Sequence, residues 1–234
     1  IRGMEYNRLG LYQEANLEFE SLRQDHATDP ANTFRLMKLF LDYYYYKSAI
    51  ECARGLRQIA GYSDTPIAST LPAYIAYVEY GAYYLPWIEA KAIKYKLSPL
   101  MLLSLIYQES RFGTQAISTA GARGLMQVMP TTAEQIASET GFLTDFSPSD
   151  LDVPYYNLEL GSNHLARQFY IFDGDPYLAL ACYNAGYFRI SEWQKLNKNQ
   201  DRDLFLSLIR ILETRVYLRR LVEIHHYYRL IYSN

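Results

Sequence analysis

The sequence has no long hydrophobic run. Its most apolar stretch, from Leu97 to Tyr107, is short and contains Ser98 and Ser104. A membrane-spanning helix needs about 20 consecutive apolar residues, so we expect no transmembrane segment in this chain. The chain also lacks a basic and then apolar leader at its start, so we expect any signal segment or membrane anchor to lie outside these 234 residues.

Cysteine and histidine are scarce. Two thiols far apart, Cys52 and Cys182, make neither a disulfide framework nor a zinc site, and we expect both to be small buried apolar side chains. The histidines show no metal-ligand spacing with carboxylates or thiols: His26, His164, His225 and His226. We therefore expect no metal and no cofactor, and an activity that a chelator leaves intact.

An excess of either charge is also missing. The chain has 23 Lys and Arg against 25 Asp and Glu, a formal net charge of -2. It lacks the basic footprint of many nucleic-acid-binding proteins, so we expect no nucleic acid partner. What it has is a half-apolar composition, typical of a folded protein, and 24 tyrosines, which suit both sugar binding and helix packing.

Residues 1 to about 60 contain an internal repeat. Five residues recur 34 positions later: Tyr12, Ala15, Leu22, Arg23 and Gln24 match Tyr46, Ala49, Leu56, Arg57 and Gln58. This is the period of tetratricopeptide-like helix pairs, which need neighbours to cover their apolar faces. We expect either the tail of a longer solenoid or a piece docked on the rest of the chain. The alternative is an ordinary helical hairpin.

Prolines mark a boundary after the repeat, because Pro66 and Pro72 interrupt the periodicity. We predict a helical-repeat segment at 1–65, a connecting segment at 66–84 and a second domain at 85–234. No clean strand alternation with hairpin turns occurs after the boundary, so the predicted fold class is all-α, with a small hairpin or irregular loop around Ile117 to Gly124 left open.

Helix start and stop signals succeed one another in the second domain. Ser98 and Pro99 predict the start of a helix that runs to about Phe112 and is closed by Gly113. Thr131 and Glu134 predict a capping box after Pro130. Asp175 and Pro176 predict the start of a helix that Gly186 ends, and a long helical pattern runs from about Leu212 to Tyr232.

A glutamate continues the apolar face of one predicted helix. Residues three, four and seven apart line up on a helix, so Glu109 shares a face with Leu102, Leu105 and Ile106. Burial and the negative end of the helix dipole both raise the pKa of such a carboxyl. A glutamic acid kept neutral can act as a general acid, as in glycoside hydrolases. The alternative is an ion pair with Arg111 or Arg123.

Three downstream strings accompany this glutamate. Gly121 and Gly124 permit a tight turn and close approach of a ligand, and Gln127 offers an amide that donates and accepts. A second string, Tyr183 to Gly186, ends a helix, and a third, Glu213 to Arg215, begins the last one together with Tyr217.

Together these strings resemble the soluble lytic transglycosylases of the family 1 type, which are goose-lysozyme-like enzymes acting on bacterial cell walls. The resemblance covers about residues 85–232. Its motifs occur in order: QES at 108–110, GARGLMQVMP at 121–130, NLELG at 157–161, YNAG at 183–186 and ETR at 213–215. It implies a lysozyme-like helical catalytic domain preceded by a helical solenoid piece.

The resemblance also implies roles for individual residues. Glu109 is implied as the catalytic acid and base. The implied substrate contacts are Ser118 and Gln127 at the cleavage point, Met129 in the groove wall, Tyr183 near Glu109 or the substrate, Asn184 beside it, and Glu213 against the glycan or its peptide stem. The chain departs from the family at Cys182, His164 and Tyr187, which puts in doubt which subsites it retains.

The implied reaction cleaves the β-1,4 bond between N-acetylmuramic acid and N-acetylglucosamine of peptidoglycan and leaves a 1,6-anhydromuramoyl product, with Glu109 acting first as acid and then as base. Peptidoglycan glycan strands are the expected partner, and the N-terminal helices are a possible surface for cell-wall proteins. The location expected by analogy is extracytoplasmic. Two alternatives stay open, a muramidase-type hydrolase that uses water and a non-catalytic peptidoglycan-binding scaffold.

Overall fold

The structure is a computed structural model that describes residues 2–62, 72–196, 209 and 212–233. Most of these residues are helical: α1 (Arg2–Arg8), α2 (Tyr12–Asp25), α3 (Pro30–Asp42), α4 (Tyr46–Ile59), α5 (Ala73–Glu79), α6 (Leu85–Tyr95), α7 (Pro99–Ser110), α8 (Pro130–Thr140), α9 (Pro154–Ile171), α10 (Pro176–Ala185), α11 (Tyr187–Leu196) and α12 (Leu212–Tyr232). A 3₁₀ turn occupies Pro148–Asp152. The predicted all-α fold class is confirmed.

The repeat in the sequence is also a repeat in the backbone of the first four helices. Helices α2 and α4 begin and end 34 residues apart. Each comes shortly after a residue with positive φ, Gly10 at 75° and Tyr44 at 63°. Ala15 and Ala49 are fully buried at equivalent positions, where a small side chain lets the paired helices approach closely.

The predicted boundary at residues 65 and 66 lies outside the described residues. Within the predicted connecting segment 66–84, helix α5 joins two hydrophobic cores. Its Val78 packs into the core of the N-terminal helices, whereas Ala76 packs into the core of the second domain. Helix α4 is shared in the same way, because Ala49 faces the first core and Ile50 the second.

Helix α7 lies at the centre of the second domain. Leu102, Leu103, Leu105 and Ile106 are fully buried, as expected for a helix that is apolar around most of its circumference. Ser98 caps its start by accepting a hydrogen bond from the backbone of Met101. Helices α6 and α12 pack directly against α7.

The predicted end of α7 was wrong. The helix stops at Ser110, and Arg111 and Phe112 take left-handed backbone conformations with φ of 50° and 61°. Gly113 therefore does not close it. The physical reason is tertiary: the Arg111 guanidinium pairs with Glu51 on α4, and the Phe112 ring is buried edge-on against Tyr83. These contacts hold two non-glycine residues in a conformation that isolated chains disfavour.

The predicted capping box of Thr131 and Glu134 was also wrong. Helix α8 begins at Pro130, and the residue before it, Met129, makes no side-chain cap. Proline presets the first helical φ, so Thr131 already lies inside the first turn. The other signals were right: Asp175 caps α10, Gly186 ends it with φ of 84°, and α12 spans the predicted residues.

A small hairpin comes after α7, which is one of the two possibilities left open around residues 117–124. Arg123 forms antiparallel bridges with Ile117 on one side and Val128 on the other.

Both cysteines are buried, as predicted, and burial raises the pKa of Cys52 to about 12. In the described part of the chain, no helix combines the length and hydrophobicity needed to cross a bilayer.

Candidate active site

Glu109 lies in the last turn of α7, on the helix face that also carries the buried Leu105 and Ile106. Its side chain keeps a small exposed fraction, so it can be reached from solvent. Burial raises the pKa of Glu109 from its ordinary value of 4.5 to about 7, even though a hydrogen bond from Tyr217 opposes the rise. At neutral pH a large share of this carboxyl therefore carries its proton.

The hydrogen bond from Tyr217 is short and buried. Its hydroxyl donates to Oε1 of Glu109 at 2.6 Å. Tyr217 is 5% exposed and lies on α12. Burial and the neighbouring Glu109 carboxyl raise the pKa of Tyr217 well above its ordinary value, so the phenol stays a donor throughout the neutral range.

The alternative ion pair for Glu109 does not occur among the described residues. Arg111 pairs instead with Glu51 at 2.8 Å, and Arg123 pairs with Asp152 at 2.5 Å. Both arginines named as partners are thus engaged elsewhere. Glu109 is a neutral acid candidate and not half of a salt bridge.

Buried polar side chains hold the hairpin next to Glu109. Ser110 donates from Oγ to the Leu125 carbonyl at 2.7 Å. Asn157, fully buried on α9, donates to the carbonyls of Arg123 and Leu151 and accepts from the backbone of Met126 at 2.8 Å. A buried amide with all these bonds satisfied fixes one loop geometry, since leaving a partner unpaired is unfavourable.

Gly124 is the position where this packing requires glycine. Its φ is +76°, and an added Cβ would lie 2.1 Å from the Leu151 carbonyl oxygen and 2.2 Å from Nδ2 of Asn157. Both the backbone conformation and the close approach exclude a larger residue. The glycine at position 124 is therefore required by the packing of the hairpin against Asn157.

The hairpin residues implied as sugar contacts have internal bonds as well. Gln127 donates from Nε2 to the carbonyls of Gly124 at 2.9 Å and Ala116 at 3.1 Å. Its amide nitrogen thus braces the hairpin, which leaves its oxygen as the group to meet a ligand. The hydroxyl oxygen of Ser118 accepts from the backbone of Ala122 at 3.0 Å, so its proton remains available.

Tyr183 lies beside the acid without bonding to it. Its hydroxyl donates to the Met126 carbonyl at 2.8 Å, and its ring lies 5.0 Å from the His164 ring. Burial, and after it the charge of Glu109, raises the pKa of Tyr183 well above its ordinary value, which indicates that the two side chains are near each other. Tyr217 makes the direct bond to Glu109, and Tyr183 fixes the adjacent backbone.

Comparison with known proteins decides the family. The family model of the transglycosylase SLT domain matches residues 86–206. This chain belongs to the transglycosylase SLT family. A Haemophilus influenzae protein named as a soluble lytic murein transglycosylase is 31% identical over 149 residues, which are 63% of this chain and 25% of that protein.

Solved structures resemble the SLT chain over almost its whole length. The lytic transglycosylase Slt of Pseudomonas aeruginosa, solved as an inactive mutant with a glutamate changed to glutamine, is 27% identical with a TM-score of 0.73, over 97% of this chain and 34% of that chain. The 70-kDa soluble lytic transglycosylase solved with bulgecin A is 20% identical with a TM-score of 0.80, over 100% of this chain and 35% of that chain. The lysozyme-like fold is confirmed. The SLT chain spans between about a quarter and a third of the length of these relatives.

The other implied contacts lie near the end of α10, at the start of α12 and just before α8. Oδ1 of Asn184 accepts from the Thr214 hydroxyl at 3.0 Å, which joins the end of α10 to the start of α12. Glu213 is exposed in the first turn of α12, one helical turn before Tyr217 and on the same face. Met129 is 39% exposed just before α8.

Sequence reasoning gave no role to two residues with central contacts in this site, Tyr217 and Asn157. The motif around Glu213 contained the signal for the first, because a residue four positions later faces the same way. For Asn157 the NLELG motif at 157–161 was the signal, but its role could not be read from the sequence because its three partners come from two distant loops. In the described part of the chain, no three His, Cys, Asp or Glu side chains form a group that could hold a metal ion.

Proposed function

We propose that this chain is the catalytic part of a peptidoglycan lytic transglycosylase, with Glu109 as its only acid and base. The observation that carries the proposal is the state of Glu109, a carboxyl of the SLT domain that has a pKa of about 7 and receives a hydrogen bond from Tyr217. The Pseudomonas aeruginosa relative, inactive with glutamine in place of a glutamate, supports it.

In the first step Glu109 acts as acid. Tyr217 donates to Oε1, so the proton of the neutral carboxyl resides on Oε2. That proton passes to the oxygen joining N-acetylmuramic acid to N-acetylglucosamine. The bond from the anomeric carbon to this oxygen breaks, and N-acetylglucosamine leaves as an alcohol. The acetamido group of the muramoyl sugar stabilises the positive charge that develops.

In the second step the same residue acts as base. The Glu109 carboxylate takes the proton of the carbon-6 hydroxyl on the muramoyl sugar while that oxygen bonds to the anomeric carbon. The products are a 1,6-anhydromuramoyl end and a protonated Glu109, ready for another cycle. The Tyr217 hydrogen bond stabilises the carboxylate between the steps, which keeps the pKa in the range where both forms are accessible.

The remaining implied residues provide the groove. The Ser118 hydroxyl and the Gln127 oxygen face the sugar at the cleavage point, and Met129 forms part of the wall. Tyr183, Asn184 and Glu213 line the far side, where the exposed Glu213 meets the glycan or its peptide stem. His164 stays neutral next to Tyr183, because burial lowers the pKa of its imidazole to about 4.

The relatives named as murein transglycosylases also suggest where this protein works. We infer an extracytoplasmic location, because the glycan strands of peptidoglycan are found there. The N-terminal helices present exposed surface to protein partners of the cell wall.

The test is digestion of purified sacculi and mass spectrometry of the released muropeptides, with Glu109→Gln as the control. The expected products end in anhydromuramic acid and are lighter by one water than hydrolysis products. Products with a reducing end would show that water, and not the carbon-6 hydroxyl, attacks the anomeric carbon in the second step. Binding to sacculi without any soluble product would leave only a peptidoglycan-binding scaffold.

A further inference from the structure

A cavity of about 760 Å³ lies between the N-terminal helices and the segment that joins α7 to the hairpin. One wall comprises the two equivalent turns of the helical repeat, around Tyr12 and Tyr44. The opposite wall comprises Phe112 to Ala116 and the start of α9. Its volume lies within the range of about 300 to 1,000 Å³ that is usual for small-ligand sites. Glu109 is not among its lining residues.

Aromatic side chains line the cavity in contact with one another. Tyr44 packs edge-on against Tyr46 at 6.1 Å, and Tyr46 packs edge-on against Tyr84 at 5.2 Å. Tyr44 is 71% exposed and Tyr12 is 54% exposed. Large aromatic rings left in water at the rim of a concave surface are typical of a binding surface and add little to the core.

Uncharged polar groups complete the lining. Four side-chain amides border it, those of Asn7, Gln13, Asn16 and Gln115. Planar amides donate and accept at once, which suits sugar hydroxyl and acetamido groups, while tyrosine rings suit the apolar faces of sugar rings.

The charges around the cavity disfavour an acidic ligand. The charged side chains among its described lining residues are Glu14, Lys47 and Asp152. Asp152 is paired with Arg123, and the Lys47 stem lies against Gly113. Two acidic groups against one basic group give no cluster of cations for the carboxylates of a stem peptide. A neutral saccharide fits this lining better.

Ala116 connects the lining of the cavity to the hairpin that carries Ser118 and Gln127. Ala116 lines the cavity, and its carbonyl accepts hydrogen bonds from the backbone of Gly124 and from the side chain of Gln127. Ser118 is two residues further along, at most about 7 Å away in an extended chain. The edge of the cavity at Ala116 thus lies a short distance from Ser118, a separation that one or two sugar residues of a strand can span.

We propose that this cavity is a distal glycan subsite, which binds uncharged N-acetylated sugar residues of the strand that occupies the groove. This proposal rests on the proposed function for the identity of the strand. It assigns the N-terminal helices a direct part in holding the substrate, through the same turn of two successive repeats.

The test uses the full chain with Glu109→Gln, so that the ligand is not cleaved, and isothermal titration with a hexamer of N-acetylglucosamine. The double variant Tyr12→Ala with Tyr44→Asn is expected to weaken binding about tenfold. Asn accepts the left-handed backbone at position 44. The matched control is Tyr170→Ala, which removes a tyrosine that is 87% exposed on α9 and is expected to leave the affinity unchanged.

Equal affinity of the double variant and its parent would overturn the proposal, as would competition by a free stem peptide that carries no sugar. If the double variant melts at a much lower temperature, Gln115→Ala replaces it and the same loss is expected. Anhydro products from sacculi together with unchanged hexamer binding would reject the subsite alone. Tyrosine-dependent binding without any product would reject the proposed function alone.

Discussion

The backbone of the N-terminal helices repeats itself, whereas the backbone around Glu109 does not. In the first region, helices of equal length come after equivalent turns, and ion pairs such as Arg8 with Glu5 lie on the surface. In the second, single buried polar groups such as Ser110 and Asn157 fix loops of unusual shape. Periodic apolar residues suffice to build a scaffold, but placing a reactive carboxyl requires contacts that occur once.

The largest effect we expect is on chemistry in the non-repeating region. Glu109→Gln removes the exchangeable proton but preserves the shape of the side chain, so the fold should persist. General acid and base catalysis typically contributes about 10² to 10⁴ in rate, and at least that loss is expected in the release of soluble muropeptides from sacculi. Release at the wild-type rate would remove Glu109 from the mechanism.

The same variant should change the pH dependence of stability. The pKa of Glu109 rises from 4.5 to about 7 on folding, so its stabilising contribution is complete below pH 4.5 and is lost as the pH rises through 7. Relative to wild type, the free energy of unfolding of Glu109→Gln should therefore increase as the pH rises from 4.5 to 7 and level off above, by a total of about 3 kcal/mol. Denaturant unfolding at pH 5 and pH 8 measures the difference, and a constant difference would contradict it.

Substitution of one glycine in each region tests how much the stability of that region depends on close packing. Gly124→Ala places a Cβ against Leu151 and Asn157 at positive φ, and we expect a loss of about 3 kcal/mol or more. Gly55 lies inside α4 with no atom within 4 Å of an added Cβ. Gly55→Ala should instead gain about 0.5 to 1 kcal/mol. Chemical denaturation of both variants would show whether the two regions tolerate change as differently as their packing implies.

The hydrogen bond from Tyr217 should affect how the activity depends on pH, because it lowers the pKa of Glu109. Wild-type kcat/KM should fall above pH about 7, because the reaction begins from neutral Glu109. Tyr217→Phe removes the hydrogen bond that lowers this pKa, so the alkaline limb should move to higher pH while the rate falls about tenfold. The control is Tyr228→Phe on the same helix, whose hydroxyl bonds to the Gly81 carbonyl at 3.3 Å. An unmoved limb in Tyr217→Phe would rule out this role.

The smallest effect we expect is at the contact between the two regions. Glu51→Gln removes the negative charge that pairs α4 with Arg111, whose side chain is 41% exposed, so the loss of stability should be about 0.2 to 1 kcal/mol. A decrease of a few-fold in kcat with little change in KM should accompany it, because the turn after Glu109 loosens. Glu18→Gln, which breaks a pair within the N-terminal helices, should leave kcat unchanged.

Sequence reasoning succeeded where local chemistry decides the structure. The limits of α10 are set by Asp175, Pro176 and Gly186, and α12 is set by apolar periodicity. Glu109 was identified because a carboxyl on an apolar helix face is anomalous and because the downstream motifs accompany it; taken alone, an ion pair would have explained it as well.

It failed where distant partners decide. The left-handed turn at Arg111 depends on Glu51, 60 residues earlier, and the bond to Glu109 comes from Tyr217, 108 residues later. Gly113 was the natural local stop for α7, yet the helix ended before it because tertiary contacts outweigh the intrinsic preference of Arg111 and Phe112. Such pairings leave no trace in local periodicity or capping patterns.

The position of Ile50 sets a limit on dissection of this protein. Helix α4 is counted with the repeats, yet Ile50 is fully buried among the side chains of the second domain. A fragment that begins after α4 would lack the Ile50 side chain and would have a cavity in its hydrophobic core at that position. A shortened version of this chain should therefore keep α4, or replace the contacts of Ile50 by redesign.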